Sequence, residues 1–366
     1  MDRVEEVETK LEKVRSWLAE SGLSGVVLGS QTNFAWITAG GHNHVATSAE
    51  AGVGSAVVTA DRATVVTPNI EARRLFDEEL PHGCFDVVDF PWHLPEQQNE
   101  IIDGLTGGSR VAGDLPAGKR EAASGVVELR RVLLPPEVVR YRELAQDAAS
   151  IVESACRSIE LRESELDMAS RVAALCFEKN ILPVVNLVAA DERLPMYRHP
   201  VPTANRVDHT MLVALTARRH GLHASVTRTL CFGKPGADQV ARHLAAARVD
   251  ARFIQASRPG ATLAEVFNTG IEQYAAEGFP EEWKLHHQGG LTGYAGREVK
   301  GTPSSGYVLQ AGQVVAWNPT ITGAKSEDTV LIADDGYEVL TSTGHWPMLQ
   351  VTLGEATIAR PDLLIR

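Results

Sequence analysis

The feature that most constrains the fold is an approximate repeat in the second half of the chain. Glu163-Ser164-Glu165-Leu166-Asp167 leads one helical stretch much as Ala261-Thr262-Leu263-Ala264-Glu265 leads another, and the two close alike, at Phe177-Glu178-Lys179-Asn180 and Tyr274-Ala275-Ala276-Glu277-Gly278. After each comes a segment rich in His and then a pair of apolar runs that reads as two strands. These are Met211 to Leu215 with Thr227 to Phe232, and Gln313 to Trp317 with Asp328 to Ile332. Two helix-plus-hairpin halves predict a pseudo-symmetric domain, and ligand sites commonly lie in the cleft where such halves meet.

Upstream, Val4, Val7, Leu11, Val14 and Leu18 recur at helical spacing and Ser21-Gly22 ends the stretch. Val26-Val27-Leu28, Ala56-Val57-Val58 and Thr64-Val65-Val66 are short apolar runs that read as strands, and a further helix-then-strand unit closes at Arg110-Val111-Ala112-Gly113-Asp114. The expected class is α/β, with an α+β second domain. Leu133-Leu134-Pro135-Pro136-Glu137 marks the boundary, because prolines end a preceding helix yet suit the first turn of a new one. Residues 1–132 thus form one expected domain and residues 133–366 the other, the latter opening on a long helix through Val139, Leu144, Ala148, Ile151, Ala155 and Ile159.

Composition narrows the function. A chain of 366 residues, 44% hydrophobic and 22% charged, is long enough for two domains. Its formal charge of −12 and lack of a dense basic block argue against nucleic acid. No run reaches the ~18 apolar residues of a membrane span, and the Met1-Asp2-Arg3-Val4-Glu5-Glu6 start has no apolar signal core. A cytoplasmic protein is expected. Cys84, Cys156, Cys176 and Cys231 are spaced too widely for a zinc or redox pair and read as reduced core thiols.

Several local motifs carry a resemblance. Gly221-Leu222-His223-Ala224-Ser225-Val226-Thr227-Arg228-Thr229, His286-His287-Gln288-Gly289-Gly290, Tyr294-Ala295-Gly296-Arg297-Glu298, Trp317-Asn318-Pro319 and Ser326-Glu327-Asp328-Thr329-Val330 follow one another at set distances. In order and spacing they resemble the pita-bread family of creatinase, prolidase and aminopeptidase P, over nearly the whole chain. The resemblance implies a small creatinase-like N-terminal domain before a pita-bread domain. It also implies a homodimer in which the first domain covers the partner's cleft. Peptidases of that family hold two divalent cations on two Asp, one His and two Glu; the matching positions here read Ala214, Ser225, His287, Asn318 and Glu327. Hard cations take oxygen ligands, and one carboxylate with one imidazole cannot offset two neighbouring dications. No metal or other cofactor is therefore expected. A single ion on His287 and Glu327, helped by a loop His, is the remaining metal arrangement.

Creatinase is the useful comparison, because it resembles this scaffold yet works without metal. His199, in Tyr197-Arg198-His199-Pro200, falls near the position of its proton-transferring His, offset by a couple of residues; a loop His bonded to backbone is the competing structural role. Of His286 and His287, an extended chain turns only one into the cleft, and the motif selects His287, with Gly289-Gly290 letting backbone approach a ligand. Glu327 and Asp328 point to opposite faces of a strand, so Glu327 enters the cleft as a general acid/base or pairs with Arg228. Tyr294 offers a phenol to an oxyanion and Arg297 a two-point contact to a carboxylate or amide. Asn318 contacts substrate or supports the turn at Pro319, and Arg228 either ties the hairpins together or meets a substrate carboxylate. Gly40-Gly41-His42-Asn43-His44 makes His42 and His44 candidate contributors from a second subunit.

The expected function is a metal-independent, creatinase-like hydrolase that cleaves a carbon–nitrogen bond in a small polar substrate, with His199 moving protons. Two alternatives stand beside it. One is an inactive binding module, a use this scaffold has within a histone chaperone, although no long acidic tail follows the last expected strand. The other is a residual Xaa-Pro peptidase with one metal.

Overall fold

The computed structural model describes residues 1–108, 110–116 and 120–366. The chain divides into two units, Met1–Val139 with His220–Leu222, and Arg140–Arg219 with His223–Arg366. The division falls inside the helix that opens at Pro135, past the expected boundary at the two prolines.

In the first unit α1 (Arg3–Ser21) precedes β1 (Gly25–Ser30) and α2 (Gln31–Ile37), then β2 (Ala51–Thr59), β3 (Ala63–Pro68), α3 (Asn69–Arg74) and β4 (Asp86–Phe90). α4 (Gln97–Thr106), β5 (Val111–Gly113), β6 (Glu121–Ala122) and α5 (Ser124–Arg130) complete it. The strands make one sheet in the order β4-β3-β2-β1-β5-β6. Val27, Val57, Val66, Phe90, Ile102 and Val111 bury together against it, which is why the apolar runs of the sequence are strands. His42 stacks on His220 at 6.3 Å between ring centroids and meets His44 edge-on at 5.3 Å, so these candidates form a histidine cluster of the first unit.

The second unit contains the repeat. Its first half is α6 (Pro135–Ser158), α7 (Glu165–Glu178), β7 (Leu182–Ala190), α8 (Arg193–Met196), β8 (Thr210–Arg219) and β9 (Leu222–Cys231). Its second half is α9 (Ala237–Ala256), α10 (Leu263–Ala276), β10 (Gly289–Thr292), β11 (Val299–Lys300), β12 (Val314–Trp317), β13 (Thr320–Ile321), β14 (Ala324–Lys325), β15 (Asp328–Ala333) and β16 (Gly336–Val339). β17 (Met348–Leu353), β18 (Ala356–Pro361) and β19 (Leu364–Ile365) follow, so the last expected strand is not the last strand.

The two halves match in detail. Ser164 and Thr262 cap α7 and α10 through capping boxes with Asp167 and Glu265, each satisfying otherwise orphaned N–H groups. Just before each helix the backbone makes an isolated bridge, Ser164 to Arg206 and Thr262 to Val308. One sheet runs β19-β9-β8-β7, and the other runs β11-β10-β12-β15-β16. Phe253 and Trp317 stack at 4.5 Å in the core of the second half, among Leu263, Val266, Leu291 and Val315.

Candidate active site

A cavity of about 320 Å³ lies in the second unit, and both halves line it. The first half supplies Val184, Val185 and Leu187 from β7, Ala214, Leu215 and Thr216 from β8, His199 from the loop after α8, and His223 at the start of β9. A bulge between Pro183 and Val185 breaks the alternation of β7, so that two neighbouring valines both reach the cavity. The second half supplies His287 just before β10, Gly296 and Arg297 from the β10–β11 loop, Asn318 after β12, Lys325 at the end of β14, and Glu327 ahead of β15.

Glu327 is the electrostatic centre. Only 5% of its side chain is exposed, and its Oε2 has Lys325 Nζ at 2.7 Å and accepts from Thr227 Oγ1 at 2.7 Å. Arg297 Nη2 lies 3.4 Å from Oε1. Burial pushes this carboxyl up, but the nearby ammonium, guanidinium and hydroxyl outweigh it and hold it below the usual carboxylate range. Glu327 therefore sits in a cationic surround supplied by Lys325 and Arg297, whereas Arg228, its expected partner in an ion pair, is paired with Asp328. Asp328 faces the other way, as alternation requires, and is buried against Arg228 at 2.9 Å and Arg360 at 2.6 Å.

The histidines form the second feature. His199 Nε2 and His286 Nε2 are 3.0 Å apart, so one donates and the other accepts, and His286 Nδ1 lies 3.4 Å from Thr320 Oγ1. His287 is close to both, with ring centroids 5.7 Å from His199 and 4.5 Å from His286. Burial lowers the basicity of all three, reinforced by Lys325 for His199 and His286 and chiefly by Arg297 for His287, which falls to about 4. His286 is buried and holds His199 through the contact between their Nε2 atoms, and His287 is the one of the adjacent pair that lines the cavity.

Arg228 is 2% exposed and spends its guanidinium on Asp328, Glu153 and the carbonyls of Thr227 and Thr341, so it ties elements together and does not line the cavity. Tyr294 is fully buried and is not among the residues that line the cavity. Gly289 and Gly290 are required by the packing of the sheet. Their φ angles are +100° and +137°, and a Cβ there would come within 2.1 Å of the Ala316 carbonyl oxygen and 2.3 Å of that of Val299. Lys325, His223 and Thr216 are lining residues that sequence reasoning missed. Lys325 was reachable by the alternation already used for Glu327, since residues two apart on extended chain share a face.

The five positions that the family resemblance gives to metal ligands do not fit a pair of dications. Ala214 offers a methyl group, the Ser225 hydroxyl is paired with Thr216 Oγ1 at 3.0 Å, and Asn318 is a neutral amide. The one carboxylate already faces two cationic side chains. A single ion on His287 and Glu327 meets the same obstacle. The donor set that suits one ion is His199, His286 and His287, whose ring nitrogens lie within 4.8 Å of one another.

Residues 140–334 match the model of metallopeptidase family M24, and the chain belongs to that family. It is 22% identical over 350 residues to the Xaa-Pro dipeptidase of Pyrococcus furiosus, covering 91% of this chain and 98% of that protein. Among solved structures it is similar to the prolidase from Pyrococcus horikoshii, with a TM-score of 0.78, 20% identity, and coverage of 92% and 98% of the two chains. The N-terminal domain of the FACT complex subunit SPT16 from chickpea has the same fold at a TM-score of 0.72 and 12% identity, over 93% of this chain and 97% of that one. The architecture is the α/β pita-bread arrangement of prolidase-like hydrolases. Among the described residues no helix is long and apolar enough to cross a membrane.

Proposed function

We propose that this chain is a hydrolase of carbon–nitrogen bonds in small polar substrates, that it works without a metal pair, and that His199 moves the proton. The observation that carries this reading is the His199–His286 contact of 3.0 Å at the edge of a cavity in which Glu327, the one carboxylate among the described lining residues, is paired with Lys325. A neutral imidazole can take a proton from water as the water oxygen attacks the carbonyl carbon, and return it to the leaving nitrogen as the C–N bond breaks. His287, also neutral, can donate N–H to the oxyanion. A peptide-like amide is the bond that the relatives' names indicate. The reading includes a homodimer, with His42 and His44 as contributors from the second subunit.

The test is release of amine from a panel of N-acyl amino acids and dipeptides in the presence of a chelator. His199→Ala should lower turnover at least about a hundredfold with little loss of stability, given the size of general-base effects. Near-normal turnover in that variant removes His199 from its role. A second reading, one transition-metal ion on His199, His286 and His287, is favoured by the convergence of their nitrogens. Elemental analysis after dialysis separates the two: one tightly bound ion per chain, with activity that the chelator abolishes, selects the second.

A further inference from the structure

The contact between His199 and His286 fixes more than the place of a ring, because a single proton lies between two Nε2 atoms 3.0 Å apart. A neutral imidazole carries one N–H and one lone pair, so whichever ring donates decides what the far nitrogen of His199 can do. His286 is 8% exposed and is held from two directions. Its carbonyl accepts from Gln288 Nε2 at 2.6 Å, and its Nδ1 lies 3.4 Å from Thr320 Oγ1. Tyr274, fully buried on α10, serves both supports: its hydroxyl lies 2.7 Å from Gln288 Oε1 and accepts the Thr320 backbone N–H at 3.0 Å. On the other side His199 lines the cavity, and among the described residues its Nε2 contact is the one hydrogen bond of the ring, which leaves Nδ1 for a ligand.

We propose that Thr320 and His286 are positioning residues that hold His199 as its Nε2–H tautomer, so that Nδ1 presents its lone pair to the cavity. The chain then runs one way: His199 Nε2–H donates to His286 Nε2, and His286 Nδ1–H donates to Thr320 Oγ1. In the reverse order the threonine hydroxyl donates to His286 and His286 to His199, and His199 keeps no lone pair to take a proton. The charge of the lining favours the first order. Lys325 and Arg297 outnumber Glu327 there, Lys325 is the charge that bears most on the His199 ring, and a lone pair turned towards cations is stabilised. The inference rests on the hydrolase reading for its use. As the water oxygen bonds to the carbonyl carbon, one water proton passes to Nδ1, and the same proton goes to the leaving nitrogen as the C–N bond breaks. Between those steps His199 is an imidazolium whose Nε2–H stays on His286. A neutral acceptor orients the ring while leaving it less basic than a carboxylate partner would.

Long-range proton–nitrogen correlation spectra of the intact protein, isotopically labelled in its histidine nitrogens and held at mildly alkaline pH, test this directly. His199→Gln and His286→Gln variants identify the signals of the two rings. His199 should appear as Nε2–H and His286 as Nδ1–H. Thr320→Val removes the acceptor and should reverse both rings, whereas Thr320→Ser should keep the wild-type pattern; a role in packing alone would leave the tautomers unchanged. Nδ1–H on His199 in the wild type overturns the proposal, whether His286 or a metal ion occupies Nε2, and so does a Val variant with unchanged rings. Should that variant not fold, the wild-type pair of tautomers decides. On a substrate that the wild type cleaves, Thr320→Val should lower turnover at least about tenfold, because a base with the wrong nitrogen protonated cannot act. The stated tautomers in a protein that cleaves no member of the amide panel support this assignment and count against the hydrolase, so the two fail separately.

Discussion

Lys325 and Glu327 are a buried ion pair, and such pairs are asymmetric in their energetics. Removing one partner leaves an uncompensated charge, whereas removing both leaves a shape to be filled. Lys325→Met should therefore cost about 3 kcal/mol in urea unfolding, and adding Glu327→Leu should recover most of that loss. A double variant no more stable than the single one would mean that Arg297 and Thr227 alone satisfy the carboxylate. At this scale the sequence was legible where a side chain's direction follows from strand alternation, as for Glu327 and Asp328. It was illegible where partners come from distant segments. Arg228 reads either as a tie between hairpins or as an anion binder, and only Asp328 and Glu153, far apart in sequence and close to it in the fold, decide for the tie. Asn318 and Arg297 were found through motif order, but that their atoms lack partners is a property of the folded surroundings alone.

Single elements hold the site through clamps beside the histidines rather than through the histidines themselves. The loop that carries His199 is fixed by its neighbour Arg198, which donates to Glu282 and, at 2.8 Å, to Thr322 Oγ1; Glu282 in turn accepts from the Thr322 nitrogen at 3.0 Å. Arg198→Ala should leave the fold intact and lower turnover about tenfold, roughly 1.4 kcal/mol of transition-state stabilisation, because small misplacement of a proton-transfer group is costly. The clamp also fixes a pH dependence. Burial raises the Glu282 carboxyl, but the bonds from Arg198 and Thr322 outweigh this and hold it below its ordinary 4.5. Its stabilising contribution is complete above that ordinary value, and is lost as pH falls through the lower value of the folded state. Unfolding free energies measured from pH 7 down to pH 3 should show the gap between the wild type and Glu282→Gln narrowing below about pH 4.5. A gap that widens on acidification would contradict the sign. The helices were readable from apolar spacing and their entry residues, whereas the β7 bulge was not, since it depends on the register of a neighbouring strand.

For the molecule as a whole, the repeat was visible in the sequence because each half must build the same capped helix and paired strands from local signals. The ion network beneath the site was not visible. Arg360 on β18 joins Asp250 on α9 to Asp328 on β15, all buried, so the final strands are tied to the core through charges that no local pattern announces. The homodimer is tested most directly by light scattering. A mass near twice 39.5 kDa is expected at micromolar concentration, and a monomer mass would remove His42 and His44 as contributors from a second subunit.

The division of the cavity lining between the two halves has a consequence for how this protein can change. Every charged lining group, Arg297, Lys325 and Glu327, comes from the second half, while the first half presents Val184, Val185, Leu187, Ala214, Leu215 and Thr216 beside two imidazoles. Pocket shape and pocket charge are thus encoded in separate stretches of chain. Exchanges among aliphatic residues on β7 and β8 can resize the space without disturbing the electrostatic frame. A library built to alter selectivity belongs on those two strands, with the segment from Arg297 to Glu327 held constant.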